Sequence, residues 1–577
     1  MPTTTDSLHD TSSNPVDAKP CDERARTVPE REWNRVRLKV SDRNGEVLAY
    51  PALEQVPGDV VANAELLRSA DLDLQGRSFQ ELRTWARQEI LQQAVSYTSK
   101  IRDEDVALPD LNLLIADGHQ PQLFHPGVWA KNFTIGGLAK KLDSVPLHLI
   151  VDNDAFSSCA IQVPTGSHED LRLLSIPFDR GHPANRPWEG APVRDRGLFS
   201  AFAADVQSVM HSWDMEPELG QIWPIAIENM ERNRSLPTCL TAARHALERE
   251  WGLDNLEVPL SRICDTKPFF WFTAHLLAHL PCFRELYNEV LDEYRSANRV
   301  RSQTHPVPEL KEQNGWLEAP FWIWREGEYQ RGRLFARQTG NVLQIAQEEQ
   351  LLAELKLSAE TDAEDAVGQL AELRRQGYRL RTRALTTTLF ARLFLADLFV
   401  HGIGGAKYDE MTDRLIARFF GIAPPAFLAL SATHHLPFAN ADENNASSIG
   451  EIQQRLRTFE FNPERHLDRD VSSNVQQLIA EKQTLIDEQQ RVRTGERLGH
   501  SRREHHRKGM SRFRRLQDIN AELRAFAGER RTELSHDLER AREFENRQRI
   551  LKNREFSFCL FPEEALKEPM TRLAELE

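Results

Sequence analysis

Two short polar turns carry the residue types that acid–base and anion chemistry need. The first is Gly118-His119-Gln120-Pro121, followed by Phe124-His125-Pro126-Gly127. It groups two imidazoles and a carboxamide at a helix start, where a proton can be moved or an anion held. The plainer alternative is that His119 and Gln120 cap a turn and His125 lies on the surface. The second turn is Asp152-Asn153-Asp154. Its two carboxylates could bind a metal, hold an amine or act as a base, and they also make an ordinary Asp/Asn turn.

Three further clusters are candidates for binding. Gly402, Gly404, Gly405 and Lys407 could cradle a phosphate or carboxylate, although the spacing is not that of a P-loop and a plain turn fits as well. Arg331 and Arg333, at strand spacing, would share one face and could clamp a carboxylate; a solvated strand face is the alternative. A basic stretch including Arg497, Arg502, Arg503, Arg507, Lys508, Arg512, Arg514 and Arg515 could meet RNA or an acidic partner, or simply face solvent. No G-x-S-x-G, H-E-x-x-H or dinucleotide fingerprint occurs.

The elements that must position these residues follow from apolar periodicity. The run Leu111–Ala116 predicts a strand ending in the Asp117-Gly118 turn. Apolar spacing from Val128 to Leu142 predicts a helix, and Pro146–Val151 a second strand. That is a βαβ unit, whose parallel strands place both polar turns at their carboxyl ends, where ligands bind. Residues 46–100 have helical spacing; a strand is expected at Leu256–Leu260, and a hairpin around Trp316–Trp324 and the arginines after it. From Asp468 to Arg554 glycine and proline nearly vanish, which predicts two long helices joined by the basic stretch.

Composition narrows the class. Of 577 residues, 40% are hydrophobic and 28% charged, a globular balance with room for several domains. The net charge of −14 argues against nucleic acid or an anionic membrane as a partner of the whole molecule. The first twenty residues lack signal-peptide character and no long apolar run appears, so a cytoplasmic protein is expected. The six scattered cysteines form no C-x-x-C pair and read as free buried thiols.

In order, these pieces resemble the bacillithiol synthase family, the cysteine-adding enzymes of bacillithiol biosynthesis. Gly118-His119-Gln120-Pro121 with Leu123-Phe124 is similar to that family's G-[HQ]-Q-P-G-L-F, and Val145-Pro146 through Asp152, Asp154 and Phe156 to its V-P-V-F-W-x-A-S-E-D-H-D-F. Gly404-Gly405 through Tyr408, with Phe419 to Pro425, resembles its G-G-P segment, and the terminal helices followed by Arg554 to Phe561 are placed alike. The sequence departs from the family at His125-Pro126, at Ile150-Val151, and at Lys131, which is out of register with the family's helix lysine.

The resemblance implies an α/β fold: a Rossmann-like parallel-sheet core over 31–450 with connecting-peptide insertions at about 165–335. A disordered tail over 1–30, an antiparallel α-helical coiled coil over 451–555 and a docking segment over 556–577 complete the expected layout. It further implies a carbon–nitrogen ligase adding cysteine or another amino acid to glucosaminyl malate or a related amino sugar, working as a homodimer through the coiled coil. His119, His125, Asp152 and Asp154 would be catalytic. Gly118, Gln120, Pro121, Phe124, Asn153, Arg331, Arg333, Gly404, Gly405, Lys407 and Tyr408 would bind substrate or nucleotide, with no metal ligands. The cofactor stays open, ATP or ADP being the candidates. Competing readings are a scaffold or RNA- or partner-binding protein, and a nucleotidyl transferase on the same fold.

Overall fold

A computed structural model describes residues 33, 38–167, 170–183, 185–328, 330–438, 448–467, 472–493 and 502–576. The tail expected over 1–30 and the tip residue Arg497 lie outside the described residues. The chain is mixed α/β and forms two compact units. One comprises Met1–Thr165, Leu173–Pro437 and Asn553–Glu577; the other comprises Gly166–Arg172 and Phe438–Lys552.

The first unit is built on a six-stranded sheet. Its order is Val47–Tyr50, Phe427–Ala432, Leu398–His401, Leu114–His119, Val145–Ile150, Leu256–Pro259. All neighbours are parallel except the edge strand Val47–Tyr50, which runs antiparallel to Phe427–Ala432. Covered on both faces, the inner strands are near-continuous apolar runs rather than alternating ones. From Leu114–His119 the chain steps outward through Val145–Ile150 to Leu256–Pro259, then returns to add Leu398–His401 and Phe427–Ala432 on the other side. The order therefore reverses between Leu114–His119 and Leu398–His401. At such a reversal the connections leave in opposite directions and a crevice opens beyond the strand ends.

Two expectations need correction here. The first inner strand is Leu114–His119, so Asp117, Gly118 and His119 belong to the strand and not to a turn after it. Asp117 is tolerated there because it is fully buried against charged partners rather than solvated. The stretch 46–100 is not helical throughout: Val47–Tyr50 is a strand, ahead of helices Val56–Ser69 and Phe79–Arg102.

A second, antiparallel sheet runs Gln350–Lys356, Val342–Gln347, Gly332–Thr339, Trp316–Arg325, Tyr378–Thr382. The expected hairpin is its Trp316–Arg325 and Gly332–Thr339 pair. The C-terminal helix Glu563–Glu575 packs on Pro126–Leu142, and Phe558 N donates to Phe124 O at 2.8 Å. Cys159, Cys239, Cys264 and Cys559 are free and buried as expected, whereas Cys282 is disulfide-bonded.

The other unit is helical. Ile449–Phe461 packs on Gly528–Leu551, and Ser473–Arg493 on Arg502–Phe526, around small apolar clusters centred on Phe459 and Leu534 and on Val475, Ile519 and Leu523. The second long helix expected from the sequence is two, because Ala527, at φ −110° and ψ 21°, interrupts it before Gly528. Among the described residues no helix is long and apolar enough to cross a membrane.

Candidate functional site

The crevice at the reversal point is a cavity of about 610 Å³. Its floor is made by the carboxyl ends of the two central strands, with Gly118 and His119 on one and Phe399 and His401 on the other. Three helices begin at its rim: Pro126–Leu142, Ala384–Phe390 and Ile403–Leu415. The helix Ile403–Leu415 starts at Gly402 with no side-chain cap, so its first-turn N–H groups are left for a ligand or solvent.

Two glycines are dictated by close approach. A Cβ at Gly127 would lie 2.4 Å from Ala432 O and 2.7 Å from an Arg554 nitrogen, so only glycine lets this helix start meet the end of the neighbouring strand. A Cβ at Gly405 would lie 2.9 Å from His401 Nδ1.

Beneath the first turn lies a buried ionic cluster. Lys131, one helical turn beyond Gly127 and 1% exposed, donates to Asp117 Oδ2 at 3.2 Å and to Gly118 O at 2.8 Å. His148, on the adjacent strand, is 2.7 Å from Asp117 Oδ1. Burial alone would raise Asp117, but His148 and Lys131 outweigh it and hold the carboxyl well below the usual range. An ammonium has three donors, so Lys131 keeps one beyond these two bonds, and it lines the cavity.

Burial, with nearby cations, keeps the two predicted catalytic histidines neutral. Burial, reinforced by the Lys131 charge, takes His119 down to about 3; burial and Arg554 take His125 down to about 4. His119 Nδ1 lies 3.1 Å from Gln120 O, and His125 Nδ1 accepts from Gly127 N at 3.1 Å. Both line the cavity as neutral polar groups.

Across the cavity Asp154 Oδ1 accepts from Arg331 Nη1 at 3.1 Å, and Oδ2 accepts from the Gln120 carboxamide. The two sequence turns are thereby joined by one bond. Arg331 and Arg383 lie 4.8 and 4.4 Å from the centre of the Trp322 ring, and each keeps a buried Nε–H without a partner among the described residues. Thr382, Thr386 and Thr387 add hydroxyls beside them, and Arg554 reaches Ser431 Oγ at 2.8 Å on the far wall.

Of the predicted site residues, Gly118, His119, Gln120, His125, Asn153, Asp154, Arg331, Gly404, Gly405 and Tyr408 line this one cavity. Five do not. Pro121 is buried in the turn, and Phe124 packs edge-on against His119 and tilted against Phe558. Asp152 faces away and accepts from Ser261 N at 2.9 Å and Ser261 Oγ at 2.5 Å; burial and the Glu189 charge push it up to about 7. Arg333 is not paired with Arg331 but binds Glu348 through two bonds, because Arg331 lies just before the strand that carries Arg333. Lys407 is exposed on the outer face of its helix.

Sequence reasoning missed Lys131, His401, Arg383 and Arg554 as site residues. A lone lysine between Trp129 and Phe133 in an apolar helix was a readable signal, since a buried charge needs a purpose or a partner. Among the described residues one group has metal-like spacing, His245, Glu248 and Glu257, with ligand atoms within 4.8 Å. Arg244 bonds both carboxylates at 2.6 and 2.7 Å, so a guanidinium already fills the role a cation would take. No known protein-family model matches the chain, and no curated protein matches it.

Proposed function

We propose that the chain is a carbon–nitrogen ligase of the cysteine-adding type, with a Rossmann-like core that joins the carboxyl of cysteine or another amino acid to the amine of glucosaminyl malate or a related amino sugar. The observation that carries the reading is the cavity at the strand-order reversal, where Lys131, Arg331, Arg383 and Arg554 converge with, among the described residues, a single lining carboxylate, Asp154. Such a lining suits a substrate that bears carboxylates and one amine. The arginines hold the carboxylates with charge-assisted bonds, and Asp154 faces the ammonium. Catalysis then rests on holding two reactants together while water is kept out. The uncapped helix start at Gly402 is placed to take a phosphate if a nucleotide activates the acid. The helical unit, with Phe513 and Phe526 more than half exposed, serves in this reading as a dimer contact.

The test is to incubate the purified protein with glucosaminyl malate and a mixture of amino acids, with and without ATP and Mg²⁺. Mass spectrometry is expected to find a cysteine amide, lost in Arg331→Ala. An unchanged substrate under all conditions would move the assignment to another acid and amine.

A further inference from the structure

We infer that His401, oriented by Asp409, is the base that takes the proton from the substrate ammonium in this cavity. The inference rests on the ligase reading for the identity of the amine, and on geometry for the rest. His401 ends a central strand at the reversal point, is 5% exposed and lines the cavity. Its Nε2 is 3.0 Å from Asp409 Oδ2, and Asp409 is fully buried. The approach is close but not well aligned, since among the described residues Nε2 has no well-formed hydrogen bond; such bonds commonly tighten only when substrate arrives.

Asp409 is itself fixed. Arg392 donates to it at 2.5 Å, and to Asp413 and Pro425 O at 2.5 Å, all in the interior. Burial opposes ionisation, but Arg392 and His401 hold the Asp409 carboxyl well below its ordinary range, so it is an anion at neutral pH. An anion beside Nε2 favours the proton there and leaves a lone pair on Nδ1. Among the described residues Nδ1 makes no hydrogen bond, and Gly405 is the residue beside it: a Cβ there would lie 2.9 Å from this nitrogen. The rings of Phe399 and Phe427 pack at 4.6 and 5.2 Å and shield the imidazole. Tyr408, at the rim, is pushed up to about 12 by burial and by Asp409 and Asp154, and stays a neutral donor.

The step is a proton transfer and needs no other reactant. The substrate's N–H bond breaks, the proton binds Nδ1, and the electron pair stays on nitrogen as the free amine. His401 becomes an imidazolium whose charge Asp409 balances. His401 is thus the catalytic residue and Asp409 a positioning residue.

The test has two arms. In full-length protein labelled with ¹⁵N-histidine at pH 8, His401 is expected as the Nε2–H tautomer, a state weakened in Asp409→Asn; an Nδ1–H tautomer in the wild type would overturn the inference. In the condensation assay, H401Q is expected to lower kcat about 100-fold or more with KM changed less than about threefold, the signature of lost proton transfer and not lost binding. A kcat within about threefold of wild type would overturn the inference and leave the ligase reading standing. Wild-type protein that forms no adduct would overturn the substrate assignment alone, and the tautomer would then decide the His401–Asp409 pair. If H401Q does not fold, the wild-type and D409N spectra make the same decision.

Discussion

His119 and His401 close the two central strands side by side, yet their surroundings are opposite. Behind His119 stands a cation, Lys131, and behind His401 stands an anion, Asp409. The ionic partners are buried in both cases, but their charges are of opposite sign. Burial, with the lysine beside it, holds the His119 ring neutral at about 3, so that it can only donate or accept hydrogen bonds. Beside His401, by contrast, a carboxylate oxygen of Asp409 lies 3.0 Å from Nε2. Position on the fold selects which residues face the ligand, and the charge one shell back selects their chemistry.

The comparison breaks most severely if the carboxylate that anchors Lys131 behind His119 is removed. Asp117→Ala leaves Lys131 and His148 without their shared carboxylate in the interior, and is expected to destabilise the protein by about 3–5 kcal/mol in denaturant unfolding at pH 7. Lys131→Met, which removes the cation instead, is expected to raise the His119 pKa by NMR titration; burial, the larger cause, keeps it below the ordinary histidine value.

A smaller effect separates the two arginines that the sequence suggested as a pair. Arg331→Gln is expected to weaken binding of glucosaminyl malate by about 1.5–3 kcal/mol in calorimetry, the worth of a hydrogen bond to a charged group. Arg333→Gln, whose partner Glu348 lies outside the cavity, is expected to change it by less than about 0.5 kcal/mol. Equal losses in both variants would mean that the second arginine also reaches the ligand.

A further change is expected in the acid limb of stability. His119 has a folded pKa of about 3, below the ordinary 6.5, so between these values the unfolded chain binds more protons than the folded one. Its contribution is complete above about pH 6.5 and is lost as the pH falls toward 3. His119→Gln is therefore expected to flatten the pH dependence of unfolding over that window, and an unchanged slope would place the ring in a wetter setting than the one described.

Much of this arrangement is legible in the sequence, and the parts that are not share a cause. The apolar runs at Val145–Ile150 and Leu256–Pro259 and the helix Pro126–Leu142 follow from burial pattern alone. The strand Leu114–His119 is misread at its end because Asp117 and His119 look like turn residues; only the distant Lys131 and the neighbouring His148 make a carboxylate affordable there. The edge strand Val47–Tyr50 is hidden by its length and by its partner, Phe427–Ala432, far along the chain. Asp154 and Gln120 were both visible as polar turn residues, but their mutual bond depends on two strands lying in register. His401 and Asp409 were within reach: a histidine at the end of an apolar run, then aspartates at 409 and 413 on one helix face, with Arg392 and Asp397 the charges in the preceding apolar stretch.

The central claim is that substrate binds where the strand order reverses, and hydrogen–deuterium exchange with and without glucosaminyl malate tests it directly. The expected result is ligand-dependent protection confined to the turn at 118–128, the segment 382–388 and the helix start at 402–408. Protection that spares all three segments while appearing elsewhere would contradict the account.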